Sequence, residues 1–151
     1  MKNHRSNPNS FFIEIILVIL FFTLSASVTL QLFVAANSRA RQSSELSIAV
    51  LKSEDIAEQV KSITSVDSVP YALKNAAHTT SGGAEHYRLT FDRQWNETSS
   101  NPRYTLEVTL KKQASQSGTT VVADIAVSRI AAGSENSIYK LGSSKYLPKA
   151  P

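Results

Sequence analysis

Three hydrophobic patterns follow one another along the chain, and each predicts a different element. From Phe11 to Ala36 the residues read FFIEIILVILFFTLSASVTLQLFVAA, 26 positions with a single charge, Glu14. At a helical rise of ~1.5 Å per residue this run is about 39 Å long, more than the ~30 Å of a bilayer core. Backbone groups in lipid must be hydrogen-bonded within their own segment, so residues 11–36 are expected to form a transmembrane helix. The alternative is a buried core helix, but such helices seldom stay apolar around their whole circumference for so long.

The second pattern runs over residues 37–66. Neither Gly nor Pro occurs between Phe11 and Ser81 except Pro70, so nothing stops the helix early. Leu46, Ala49, Ile56, Val60 and Ile63 recur at spacings of three and four and are expected to share one face. Glu45, Lys52, Glu54, Asp55, Glu58 and Lys61 mostly fall elsewhere. The spacing predicts an amphipathic continuation of the same helix, which from Phe11 to about Ser65 would run about 82 Å. Its apolar stripe needs a partner, either a sheet of the same chain or a second subunit in a coiled coil. With barely three turns of good heptad, the sheet is favoured. Val69-Pro70 ends the helix. Residues 71–84, YALKNAAHTTSGGA, read as a polar loop with a Gly82-Gly83 turn and one short helical or extended piece at Tyr71–Leu73.

From His86 the period is two. Tyr87, Leu89, Phe91 and Trp95 alternate with Arg88, Thr90, Asp92 and Gln94. Tyr104, Leu106, Val108 and Leu110 alternate with Thr105, Glu107, Thr109 and Lys111. Val121, Ala123, Ile125 and Val127 alternate with Val122, Asp124, Ala126 and Ser128. Such alternation predicts antiparallel strands with one buried and one wet face. Residues 96–102 and 114–118 read as hairpin connections, 133–136 as a further turn, Ile138–Leu141 as a short last strand and Tyr146–Pro151 as a tail. The fold class expected is α+β: a long N-terminal helix laid on a sheet of three or four antiparallel strands within residues 67–151.

Composition narrows the functional classes. Beyond Ala36 there are 14 Lys and Arg against 11 Asp and Glu, dispersed without a basic stripe or stacking array, so no nucleic-acid contact is indicated. The chain has no cysteine, which excludes disulfides, thiolate metal sites and a thiol nucleophile. The 115 residues after Ala36 suffice for one small domain. Ahead of the apolar run, residues 1–10, MKNHRSNPNS, form a short basic leader like that of an export signal. Leader inside and domain outside is the orientation expected of a single-pass membrane protein of this layout. Small residues at Val34-Ala35-Ala36 also offer a cut that would release the domain, although the run is longer than the ~7–15 apolar residues of an ordinary signal peptide.

A basic leader, the apolar FFIEIILVILFFTLSASVTL with its early glutamate, and a helix followed by an antiparallel sheet together resemble the type IV pilin and pseudopilin superfamily. The likeness covers the whole chain in layout and residues 2 to about 36 in sequence texture. It implies a structural subunit of a type IV pilus, a type II secretion pseudopilus or a DNA-uptake filament, and the loop-rich outer domain and atypical cleavage site point to a minor rather than a major one. The partners implied are membrane lipid, other pilin-like subunits, their assembly machinery and a prepilin peptidase that cuts before the apolar run and methylates the new amino terminus. In that family the fifth mature residue is a glutamate that pairs with a neighbour's amino terminus. Glu14 is fifth if the cut falls between Asn9 and Ser10, and fourth if Phe11 comes first. The family has glycine before the cut and usually phenylalanine after it, where this chain offers Asn9-Ser10 or Ser10-Phe11.

Glu14 is the leading candidate site in its own right, because a carboxylate in an apolar membrane run is costly unless paired. The other reading places it at headgroup depth, where it stays wet. Thr23, Ser25, Ala26, Ser27 and Thr29 form a small, weakly polar patch suited to helix–helix packing, or to hydroxyls bonding their own preceding turn. His78 and His86 match no metal-ligand spacing, and Asp92 and Glu107 read as solvated charges on polar strand faces. Tyr87, Phe91, Trp95 and Tyr104 read as sheet core. Asn96-Glu97-Thr98 fits the glycosylation sequon. No catalytic residue, cofactor or metal is expected. A membrane-anchored extracytoplasmic binding or sensing protein that does not polymerise is the rival reading.

Overall fold

A computed structural model describes residues 8–131 and 133–149. Residues 1–7 of the basic leader and the last two residues of the expected tail lie outside that range. Helix α1 spans Pro8–Ser62 and takes in the last three leader positions. A proline is well placed in a first helical turn, since it has no N–H to leave unbonded. Five strands follow: β1 Ala77–Ser81, β2 Ala84–Phe91, β3 Tyr104–Ala114, β4 Gly118–Ala131 and β5 Ser134–Pro148. A single turn of 3-10 helix, Tyr71–Leu73, precedes them. The chain divides into two compact units at Ser43/Ser44.

In the first unit the helix is exposed on every side from Ser10 onward. It carries a stretch long and apolar enough to cross a membrane. In the second unit the sheet is a meander, order β1-β2-β3-β4-β5, with every neighbouring pair antiparallel. The expected architecture is present, a long N-terminal helix whose C-terminal part packs on an antiparallel sheet, with five strands in place of three or four. Ala49, Ile56, Ala57 and Val60 of α1 share one buried cluster with Tyr87, Leu89 and Phe91 of β2, Tyr104 to Leu110 on alternate positions of β3, and Ala123, Ile125 and Val127 of β4. Leu73 of the 3-10 turn closes the same cluster, 1 % exposed.

Five details differ from the sequence reading. Leu46 does not join the stripe and stays 44 % exposed, whereas Ser53 is fully buried. The Ser53 hydroxyl satisfies itself by donating to the Ala49 carbonyl at 2.8 Å, so a polar residue enters the stripe without an orphan group. The helix ends at Ser62 rather than near 65. Residues 77–81 form an edge strand exposed along its whole length, closed onto β2 by Gly82 and Gly83 at φ 58° and 75°. A two-residue turn with both φ positive matches the twist of a hairpin, and glycine adopts it without strain. Trp95 does not continue the alternation of β2. It sits in the following turn at φ 65° and still reaches the core, because the Asp92 carboxylate accepts the backbone N–H of Gln94 and Asn96 at 2.8 and 3.0 Å and folds the turn inward. Finally, β5 spans fifteen residues and absorbs both Ser134–Asn136, read as turn, and Tyr146–Pro148, read as tail.

Candidate functional site

The residues singled out in the apolar helix divide by geometry. Glu14 is exposed, as are Ser10 and Phe11; Asn9 belongs to the helix backbone. At 100° per residue, Thr23, Ala26 and Ser27 fall on one side, while Ser25 and Thr29 fall on the other with Glu14. The small patch is thus two narrow strips, not one face. The Thr23 hydroxyl donates to the Ile19 carbonyl at 2.7 Å and Thr29 to Ser25 at 2.9 Å. Both threonines are satisfied within the helix and need no neighbour to enter lipid.

Two polar clusters stand out in the domain. In the first, Glu45 of α1 accepts from the Tyr104 hydroxyl at 3.0 Å through Oε1 and from Arg129 Nη1 at 2.9 Å through Oε2. Tyr104 stacks flat on Trp95, with ring centroids 4.0 Å apart and planes 7° apart. Burial, then the adjoining Glu45 carboxylate, pushes the Tyr104 phenol above its ordinary pKa. Nearby, the Lys52 ammonium lies 4.4 Å from the centre of the Phe91 ring. A carboxylate, a guanidinium and two phenyl-type faces here tie the helix to β2, β3 and β4.

The second cluster surrounds a shallow, open cavity of about 470 Å³ between the helix-exit loop and the first strands. Its centre is Lys112, whose Nζ lies 3.0 Å from Asp67 Oδ1 and 3.3 Å from Glu85 Oε1. The Tyr87 hydroxyl donates to the other oxygen of Glu85 at 2.7 Å, and His78 stacks on the Tyr87 ring at 4.6 Å. The Tyr87 bond, helped by Lys112, holds the Glu85 carboxyl below its ordinary pKa. Burial and Glu85 push the Tyr87 phenol up to about 12. The bond to Asp67 raises Lys112 in turn. Lys112, Asp67 and Glu85 are matched to one another, so the cluster ties Asp67, in the segment after the helix, to the sheet.

Neither pair considered from the sequence comes together chemically. His78 shares the face of Tyr87, whereas His86 lies on the opposite face and bonds Thr109 at 3.1 Å. Asp92 is occupied in its own turn, and Glu107 pairs with Arg88 at 3.1 Å. Among the described residues no group of three or more His, Asp or Glu is placed to hold a metal ion. Sequence reasoning did not find Glu45–Arg129 or Asp67–Lys112–Glu85, since their members are dozens of residues apart and carry no local spacing signal. Comparison with protein-family models, with curated proteins and with solved structures gives no match.

Proposed function

We propose that the protein is a membrane-anchored, pilin-like structural subunit, of the minor kind found in type IV pili, type II secretion pseudopili and DNA-uptake filaments. One observation carries the reading: α1 is a single helix of 55 residues whose N-terminal part is exposed, apolar and broken by one carboxylate, and whose C-terminal part covers an antiparallel sheet. The first part suits lipid and neighbouring helices, and the second fixes a small domain to it. In this proposal Glu14 meets a positive group of a neighbour, such as a free amine, as subunits enter the filament; unpaired it is unfavourable in lipid. Registration then follows from charge pairing, and the work is structural, not catalytic. The leader lies on the cytoplasmic side and the domain outside.

Mass measurement and N-terminal peptide mapping of the chain extracted from its native membrane test this. A chain beginning at Ser10 or Phe11 with an added methyl group is expected. An intact leader overturns processing by a prepilin peptidase. The departure at Asn9-Ser10 favours one second reading, an unprocessed single-pass anchor whose domain binds or senses without polymerising. That reading predicts an intact leader and no filament.

A further inference from the structure

From Ile15 to Ser44 the chain carries only two charges, Arg39 and Arg41, and no carboxylate. Both arginines lie on α1 just past the apolar run and are exposed. Among the described residues neither makes an ion pair. The next acid along the chain, Glu45, is engaged by Tyr104 and Arg129. Geometry narrows what the two guanidiniums can meet. Residues two apart on a helix point about 200° from each other, so a single flat neighbour cannot take both, whereas a medium that surrounds the helix can. Their depth agrees with this. With the edge of the hydrocarbon core at Ala36, the backbone of Arg39 and Arg41 lies about 4.5 and 7.5 Å beyond it. The headgroup layer on each side of a core is about 5–7 Å thick. Guanidinium matches phosphate through paired hydrogen bonds, and a long basic side chain reaches the headgroups while its stem stays against apolar surface.

We propose that Arg39 and Arg41 bind the phosphates of anionic phospholipids in the leaflet facing the domain, one on each side of α1. The anchor also sets the depth of the other charge in the run. Glu14 is about 33 Å from Ala36 along the helix, against a core of ~30 Å, so it lies about 3 Å past the far edge of the core. Its carboxylate is then hydrated while the chain rests in the membrane. It enters lipid only when the helix is drawn towards the domain side, and that movement also pulls both arginines from their phosphates. Leaving the bilayer therefore breaks the contacts at both ends together. The proposal rests on the membrane-anchored part of the reading above.

The chain has no cysteine of its own, so a single fluorescent label is clean. Full-length Ser38→Cys carries bimane beside the two arginines, in vesicles of phosphatidylcholine and phosphatidylglycerol. Either lipid, spin-labelled high on its acyl chain, quenches the label according to how often it is a neighbour. At equal mole fraction, labelled phosphatidylglycerol should quench at least about threefold more than labelled phosphatidylcholine. Arg39→Gln with Arg41→Gln should abolish the preference, and Arg39→Lys with Arg41→Lys should keep most of it. Equal quenching by the two lipids, or a preference that survives the glutamine pair, overturns the proposal. A second label, at Ile13→Cys, reads the depth of the other end. Aqueous iodide on the leader side should reach it, and a shielded label overturns the placement of Glu14. Alkaline carbonate extraction separates the two levels of failure. A chain that stays in the bilayer without lipid preference refutes the anchor alone, whereas a chain released from it refutes the membrane-anchored reading as well.

Discussion

Replacing Glu45 with alanine tests whether the domain is held to α1 by the charged cluster as well as by apolar burial. The substitution strands two groups at once. Arg129 loses its 2.9 Å partner, and the Tyr104 hydroxyl loses its 3.0 Å acceptor. A hydrogen bond to a charged group contributes about 1.5–3 kcal/mol and a neutral one about 1. The side chains of Glu45 and Arg129 are 21 % and 33 % exposed, so water recovers part of the loss. A net destabilisation of about 2 kcal/mol follows, with a Glu45/Arg129 coupling of about 1 kcal/mol in a double-mutant cycle. The assay is built in. Trp95 is the only tryptophan and stacks on Tyr104, so its fluorescence reports opening of this corner. Urea titration of the full chain in mild detergent should show a midpoint lower by about 1 M, given slopes of about 1–3 kcal/mol/M. A coupling below about 0.3 kcal/mol would refute the reasoning and leave the helix held by packing alone.

Glu85 makes stability depend on pH. Its folded pKa lies below the unfolded value of 4.5, so its contribution is fully present above that value and is lost as pH falls through the folded pKa. Urea midpoints from pH 7 to pH 3 should therefore fall less steeply below about 4.5 in Glu85→Gln than in the parent chain. At Gly118 an added Cβ would overlap the Leu147 carbonyl oxygen and the Tyr146 phenol. Gly118→Ala should cost about 1–3 kcal/mol in the same urea assay, and an unchanged midpoint would show that β4 and β5 separate there at little cost. Glu14→Leu should leave membrane insertion intact and reduce co-sedimentation with the assembled fraction; equal co-sedimentation would remove Glu14 from assembly.

The sheet was largely legible because its core strands obey one simple rule. Along β3 and β4 the inward positions expected from alternation, from Tyr104 to Leu110 and from Val121 to Val127, are buried. Legibility failed where burial no longer alternates. β1 is exposed throughout, so it has no hydrophobic pattern to read, and it is held by its ladder to β2, the paired glycines and the stacking of His78 on Tyr87. β5 is only intermittently buried, and its length comes from pairing with all of β4, a fact about the partner strand rather than about its own residues. Thr105 is a different failure. The alternation places it on the wet face, yet it is fully buried, because the Thr90 hydroxyl and backbone hold Thr98 and the connecting segment 92–103 against that face.

The helix shows what periodicity misses even when the element is right. Hydrophobicity alone selects Leu46 and passes over Ser53, yet the buried row is Ala49, Ser53 and Ala57, one small residue per turn. Small side chains let a helix backbone come close to what it covers. Here the Ser143 hydroxyl of β5 reaches the Ala57 carbonyl itself at 3.2 Å. A leucine at 53 would satisfy the apolar pattern and still be wrong, since at a fully buried position the added volume forces its surroundings apart. The same logic separates the two parts of α1. Where one face is covered by a sheet, size matters as much as polarity, and polar residues that bond their own turn are admitted. In the apolar run around Glu14 no described residue covers the side chains, so polarity rather than size shapes the sequence there, and a carboxylate in lipid requires a charged partner or water.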